Sequence, residues 1–176
     1  MRLVSAQPHA DRRAVLSLKA RQRRDLSRAL ADLLAAPVRE RPWWPEVDLI
    51  VPVPSHWRRQ WWRGFNQAEV LASGLGETLG CPTARRALRR RRHTPPQVGL
   101  SLAARTRNIA GSMRLRHGAQ LAGATVLVVD DVMTTGATLS ECARVLRRGG
   151  AKKVYGAVVA VRHRAPLVAD DPADPG

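Results

Sequence analysis

The sequence predicts an α/β domain: a parallel sheet with helices on both faces, preceded by a helical lead-in. Three observations carry that expectation. The apolar runs Asp48–Val53, Val126–Val129 and Lys153–Val161 do not alternate with polar residues, as befits strands buried on both faces. Stretches with helical apolar spacing stand between them, in the order of β–α–β units. Stop signals fall at the joins, such as Arg147-Arg148 followed by Gly149-Gly150. A chain of 176 residues can hold one domain with a substantial core. We divide it into a lead-in with a Pro/Trp connector (1–45), the α/β domain (46–165) and an acidic, Pro-rich tail read as disordered (166–176).

In chain order, residues 1–12 read as polar and irregular. From Ala14, the apolar residues Val15, Leu18, Leu26, Leu30, Leu33 and Leu34 keep a broadly helical spacing. Arginines fall among them, so one or two basic amphipathic helices are expected, ending at Pro37. Three prolines in 37–45 flank Trp43-Trp44, a rigid connector whose tryptophans suit packing better than a ligand platform. After Asp48–Val53 comes a basic loop containing Arg58, Arg59 and Arg63. Asn66 follows as a helix cap, with Ala68, Val70, Leu71, Leu75 and Leu79 as the apolar face. Thr83–Leu88 reads as a further strand before the Arg89–Arg92 block. Thr94–Ser101 is punctuated like a mobile loop, and Ser101 reads as the cap of a short helix holding Arg105, Arg107 and Asn108. Gly111–Arg116 reads as one strand of a hairpin flanking that loop.

Composition narrows the function. The formal charge of +16, from 30 Lys plus Arg against 14 acids, favours phosphate-bearing partners or reflects an arginine-rich composition alone. No apolar run approaches the ~20 residues of a membrane span, and the first residues lack a signal-peptide core; a cytoplasmic protein without membrane insertion is expected. Cys81 and Cys142 stand far apart and outside any metal-ligand pair, which argues against a disulfide framework or zinc site.

The chemistry concentrates in residues 126–138. Asp130 and Asp131 follow the Val126–Val129 strand. Thr134, Thr135, Gly136, Ala137 and Thr138 then form a small-residue loop before the helix that carries Leu139, Ala143, Val145 and Leu146. Ligands of open α/β sheets bind at the carboxyl ends of strands, and a helix start offers free N–H groups to an anion. The loop therefore reads as a phosphate cradle, with two acids suited to sugar hydroxyls or a magnesium shell. No Gly-Lys-Ser/Thr triplet follows the glycine, so it is not a P-loop. The basic 55–63 loop lies beyond another strand end. It suits either a diphosphate gripped by guanidinium groups or single-stranded nucleic acid stacked on its tryptophans. His56 reads as a polar loop residue and His163 as a surface residue.

The 126–138 stretch resembles the phosphoribosyl-pyrophosphate (PRPP) signature of type I phosphoribosyltransferases. Together with Val51-Pro-Val-Pro54, Arg63-Gly-Phe-Asn-Gln-Ala-Glu69, Thr94-Pro-Pro-Gln97, Leu100, Arg105 and Arg107-Asn108, it resembles the ComF family of phosphoribosyltransferase-like proteins linked to natural competence. Ala14–Lys19 and Asp25–Leu34 are similar to that family's helical lead-in, with Ala20 where an aromatic residue often stands. The four-cysteine zinc ribbon with which many members begin has no counterpart in this sequence.

The resemblance implies a type I phosphoribosyltransferase fold, PRPP with Mg2+ as ligand, and a phosphoribosyl transfer whose acceptor nothing in the sequence specifies. It implies that Asp130 and Asp131 bind the ribose hydroxyls as catalytic residues and that residues 134–138 hold the 5′-phosphate. Ser55, Arg58 and Arg59 would take the pyrophosphate, and Arg105 with the 89–101 loop would cover it; magnesium would be held through PRPP rather than by direct protein ligands. DNA uptake or nucleotide salvage is the expected setting, with a competence-machinery protein as a partner. A PRPP- or nucleotide-sensing module without turnover, or a single-stranded-DNA-binding protein using the Arg/Trp surface, remain as alternatives.

Overall fold

A computed structural model describes residues 1–7, 24–55, 65–91 and 107–161. The sequence readings at Ala14–Lys19, the 56–64 loop, Thr94–Ser101, Arg105, His163 and the tail lie outside the described residues.

The main sheet has four parallel strands in the order β1–β6–β5–β2. These are β1 (Leu3–Gln7), β2 (Leu49–Pro52), β5 (Thr125–Met133) and β6 (Lys153–Val161). A two-stranded antiparallel hairpin, β3 (Leu88–Arg90) with β4 (Met113–Leu115), stands apart from it. Helices α1 (Arg24–Arg39), α2 (Gln67–Leu79) and α3 (Ala137–Arg148) cover the sheet.

Lack of alternation in the strand sequences has the expected consequence. Val126 and Val128 of β5 enter a core with α3 and the hairpin, whereas Leu127 and Val129 enter a second core with α1, α2 and Trp43. All four valine and leucine side chains are fully buried. Each such side chain taken from water contributes roughly 1.5–3 kcal/mol. β6 divides in the same way, Val154 and Val158 to one side and Tyr155, Ala157 and Val159 to the other.

Four expectations are corrected. Residues 1–12 are not irregular: Leu3–Gln7 form an edge strand in register with Gly156–Ala160, and Val4 is buried. Its five residues are too short for a periodic signal, and pairing with β6 supplies the order. Pro37 does not end α1, which runs to Arg39. A proline inside a helix costs about 3 kcal/mol, but Leu34, Ala35 and Val38 on either side of it are buried in the second core and hold the turn in place. The strand expected at Thr83–Leu88 begins instead at Leu88, with Thr83 making a single bridge to Ile50. Finally, β5 does not stop at Val129: it carries both aspartates and ends at Met133, so the loop shrinks to Thr134–Gly136, and Ala137 and Thr138 open α3. Pairing of Asp130, Val132 and Met133 with Val158, Ala160 and Val161 of β6 extends the strand.

The hairpin expected around Gly111–Arg116 is present, and Trp43 packs as expected, stacked on Tyr155 with ring centroids 4.2 Å apart. Cys81 and Cys142 are buried free thiols. No helix among the described residues is long and apolar enough to cross a membrane.

Candidate functional site

Parallel pairing brings the carboxyl ends of β2 and β5 to the same edge of the sheet, since Pro52 is the partner of Val129 and Val53 N–H donates to the Val129 carbonyl at 2.9 Å. That edge therefore carries Ser55, three residues beyond β2, and the acid pair near the end of β5. Asn66 occupies the N-cap position of α2 as expected, but its side chain does not cap the helix. Its Nδ2 donates instead to the Val53 carbonyl at 3.1 Å, tying the start of α2 to the end of β2.

The acids are held by the backbone. Asp130 Oδ1 accepts the Asp131 N–H at 2.9 Å, and Asp131 Oδ1 accepts the Val132 N–H at 2.8 Å. Desolvation holds the Asp130 carboxyl well above the usual carboxylate range, reinforced by the Asp131 charge and a hydrogen bond between the two side chains. The nearby Arg90 guanidinium acts in the opposite sense. The pair is thus short of positive charge.

Gly136 makes the turn from β5 into α3. It has φ +71°, the left-handed region that glycine enters without steric cost. The Ala137 N–H points to Thr135 Oγ1 at 3.4 Å, a long contact, and other N–H groups of the first helical turn have no intrahelical acceptors. Asp130 and residues 132–139 line a small open pocket around this turn. Phosphate-sized anions suit such a start, where N–H groups, the helix dipole and threonine hydroxyls converge. Beyond the end of the neighbouring strand β2, the Ser55 Oγ is buried without a hydrogen-bond partner among the described residues.

A phosphoribosyl transferase domain model matches residues 31–174. The DNA utilization protein YhgH of Salmonella typhi is 39% identical over 158 residues, covering 87% of this chain and 69% of that protein. Competence protein F of Haemophilus influenzae is 36% identical over 133 residues, covering 73% of this chain and 58% of that protein. The chain is a ComF-type member of the phosphoribosyl transferase domain family. The same fold occurs in the glutamine PRPP amidotransferase of B. subtilis, which superposes with a TM-score of 0.52 at 23% identity over 77% of this chain and 26% of that one.

Within this ComF-type chain, the structure brings Asp130, Thr134, Thr135, Gly136, Ala137 and Thr138 into one pocket. Asp131 follows directly in β5, and Ser55 lies at the neighbouring strand end. Arg58, Arg59 and Arg105 lie outside the described residues. Sequence reasoning missed Arg90, which sat unremarked in a four-arginine block. The signal was the alternation Leu88, Arg89, Arg90, Arg91 opposite Met113 and Leu115, which turns Arg90 inward beside buried Met113. It also missed Glu141, buried on α3, whose carboxylate takes Arg144 at 2.7 and 2.8 Å and the Gly111 N–H at 2.8 Å. Arg144 chiefly, against desolvation, keeps that carboxyl below the usual range.

Proposed function

We propose that this protein binds PRPP with magnesium at the β5–α3 turn and works as a phosphoribosyltransferase-like component of DNA utilization in the cytoplasm. The observation that carries the reading is the acid pair at the carboxyl end of β5 running directly into a left-handed Gly136 turn and a free helix start, in a chain of this family. The relatives named for DNA utilization and competence support the setting.

On this reading the 134–138 turn receives the 5′-phosphate, Asp130 and Asp131 receive the ribose hydroxyls, and Ser55 with Arg58 and Arg59 receives the pyrophosphate, covered by Arg105. Magnesium carried on the ligand's oxygens fits this donor set, because it would bring positive charge beside two adjacent carboxyls, one of them driven toward protonation by burial and by its neighbour's charge. Bound with PRPP, it supplies positive charge that favours departure of the pyrophosphate. The two carboxylates stabilise positive charge on the ribose by placement alone, so no covalent nucleophile is needed.

Calorimetric titration of PRPP with and without magnesium tests the site. Wild type should bind in a magnesium-dependent manner, and a Thr135→Ala/Asp131→Asn double variant should bind at least ~10-fold more weakly, the loss of one charge-assisted hydrogen bond or more. Absence of binding to wild type would sink the proposal. Pyrophosphate release in the presence of nitrogenous acceptors then separates transfer from a purely sensing role.

A further inference from the structure

We propose that the outer face of the β3–β4 hairpin docks the phosphate backbone of single-stranded DNA, at a surface separate from the acid-pair pocket. The assignment rests on the DNA-linked part of the functional reading and adds where on the molecule the strand lies.

Between Glu77 and Asp130 the chain has no acid at all, yet it has ten arginines. The hairpin sorts them by face. Leu88 opposes Leu115 and Arg90 opposes Met113, and these pairs look inward. Arg89 opposes Arg114, and this pair looks outward, both residues exposed. The ladder continues as Arg91 N–H donates to the Ser112 carbonyl at 2.7 Å and Arg116 N–H to the Ala87 carbonyl at 2.8 Å, leaving exposed Arg91 and Arg116 at the two ends. Exposed Arg85 and Arg86, in the turn before β3, extend the charge.

Arg89, Arg91, Arg114 and Arg116 are not members of the ion pairs that join Arg28 to Glu77, Arg144 to Glu141 and Lys153 to Glu46. Like charges directly opposite on a ladder destabilise it. Arg89 facing Arg114 is such a pair, and a shared anion relieves it.

The chemistry of the face selects the occupant. The exposed large apolar side chains among the described residues are Met1 and Leu33, neither on the hairpin, so the apolar insertion that accompanies binding to an anionic membrane is missing there. No aromatic residue stands between Phe65 and Tyr155, so the hairpin has no stacking platform and grips phosphates without reading bases. The paired strands are three residues long, roughly 10 Å. A flexible single strand can curl so that four or more phosphates reach the exposed arginines of a patch that short, whereas a straight, stiff duplex presents only about three per strand over the same length.

The test is fluorescence anisotropy of a labelled mixed-sequence 40-mer from 50 to 200 mM NaCl. It compares wild type with an Arg89→Ser/Arg91→Ser/Arg114→Ser/Arg116→Ser variant, circular dichroism and thermal melting serving as fold controls. Wild type should show log K falling linearly with log salt. The variant should lose at least ten-fold in affinity, with a slope shallower by up to ~3, at ~0.7 per phosphate contact on a single strand. Should the fourfold variant misfold, Arg89→Ser/Arg114→Ser should give about half that slope change. Unchanged affinity and slope in folded variants would overturn the hairpin assignment while leaving DNA binding in place. No binding by wild type would remove both. Tighter binding of a duplex, or hairpin-dependent binding to phosphatidylglycerol vesicles without DNA binding, would overturn the choice of occupant.

Discussion

Asp130 is a single residue held at a cost to the fold. Its carboxyl is desolvated and faces the Asp131 charge, so the ligand-free folded state binds its proton more tightly than the unfolded chain does. A raised folded pKa gives a contribution that is fully present below the unfolded value, about 3.9, and lost as pH rises through the folded value. Asp130→Asn removes that titration and keeps an oxygen able to accept the Asp131 N–H. We expect the variant to be more stable than wild type at pH 7, with the gap closing toward pH 4. The same variant should bind PRPP more weakly. Thermal melts across pH, with and without ligand, measure both; a variant less stable than wild type at neutral pH would contradict the account. Pairs of acids like this are visible in a sequence, but their desolvation is not, because it depends on what packs around the strand end.

Elements, unlike residues, are joined by a few specific ties. The hairpin that brackets residues 92–106 is attached to α3 through Glu141, which binds the Gly111 N–H and Arg144 at once. Its carboxyl is held below the usual range, so its stabilising contribution is present above an unfolded value of about 4.3 and is lost as pH falls through the folded value. Glu141→Gln should cost about 1–3 kcal/mol at pH 7, the price of weakening a buried charge-assisted network. The difference from wild type should shrink below about pH 4 as the native carboxyl protonates. Urea denaturation at pH 7 and pH 3.5 checks this; a pH-independent difference would assign Glu141 to packing alone. Glu141 lies in an amphipathic helix where an acid ordinarily reads as a solvated residue, so only the approach of β4 reveals its role. In contrast, α3 itself, from the glycine turn at 136 to the Gly149-Gly150 stop, was legible from local signals, because capping and termination are properties of neighbouring residues.

At the scale of the molecule, β1 closes one edge of the sheet. Its Val4 is 1% exposed and packs in the core that holds Leu34, Tyr155 and Ala157. A charge at that position cannot be buried without undocking the strand. Val4→Asp should therefore destabilise the protein by about 3 kcal/mol or more and expose β6 as a new edge. Hydrogen exchange should show protection lost first along β6. Protection retained there, with Val4→Asp near wild-type stability, would mean that β1 is dispensable to the sheet. The same scale governs the hairpin's arginine face, whose charge no single residue displays.

The sequence by itself determined the α/β class, the presence of strands at β5 and β6, the family resemblance and the glycine turn that leads into α3. These depend on apolar runs, on glycine's access to positive φ and on an ordered motif, all written in contiguous residues. Tertiary structure alone decided that Leu3–Gln7 is a strand, that α1 continues past Pro37 and that β5 carries its aspartates inside the ladder. It also decided that Asn66 serves the Val53 carbonyl rather than its own helix, and that Arg90 turns inward while Arg89 and Arg114 turn outward. Each of those outcomes rests on a partner far along the chain, and a local pattern cannot specify a distant partner.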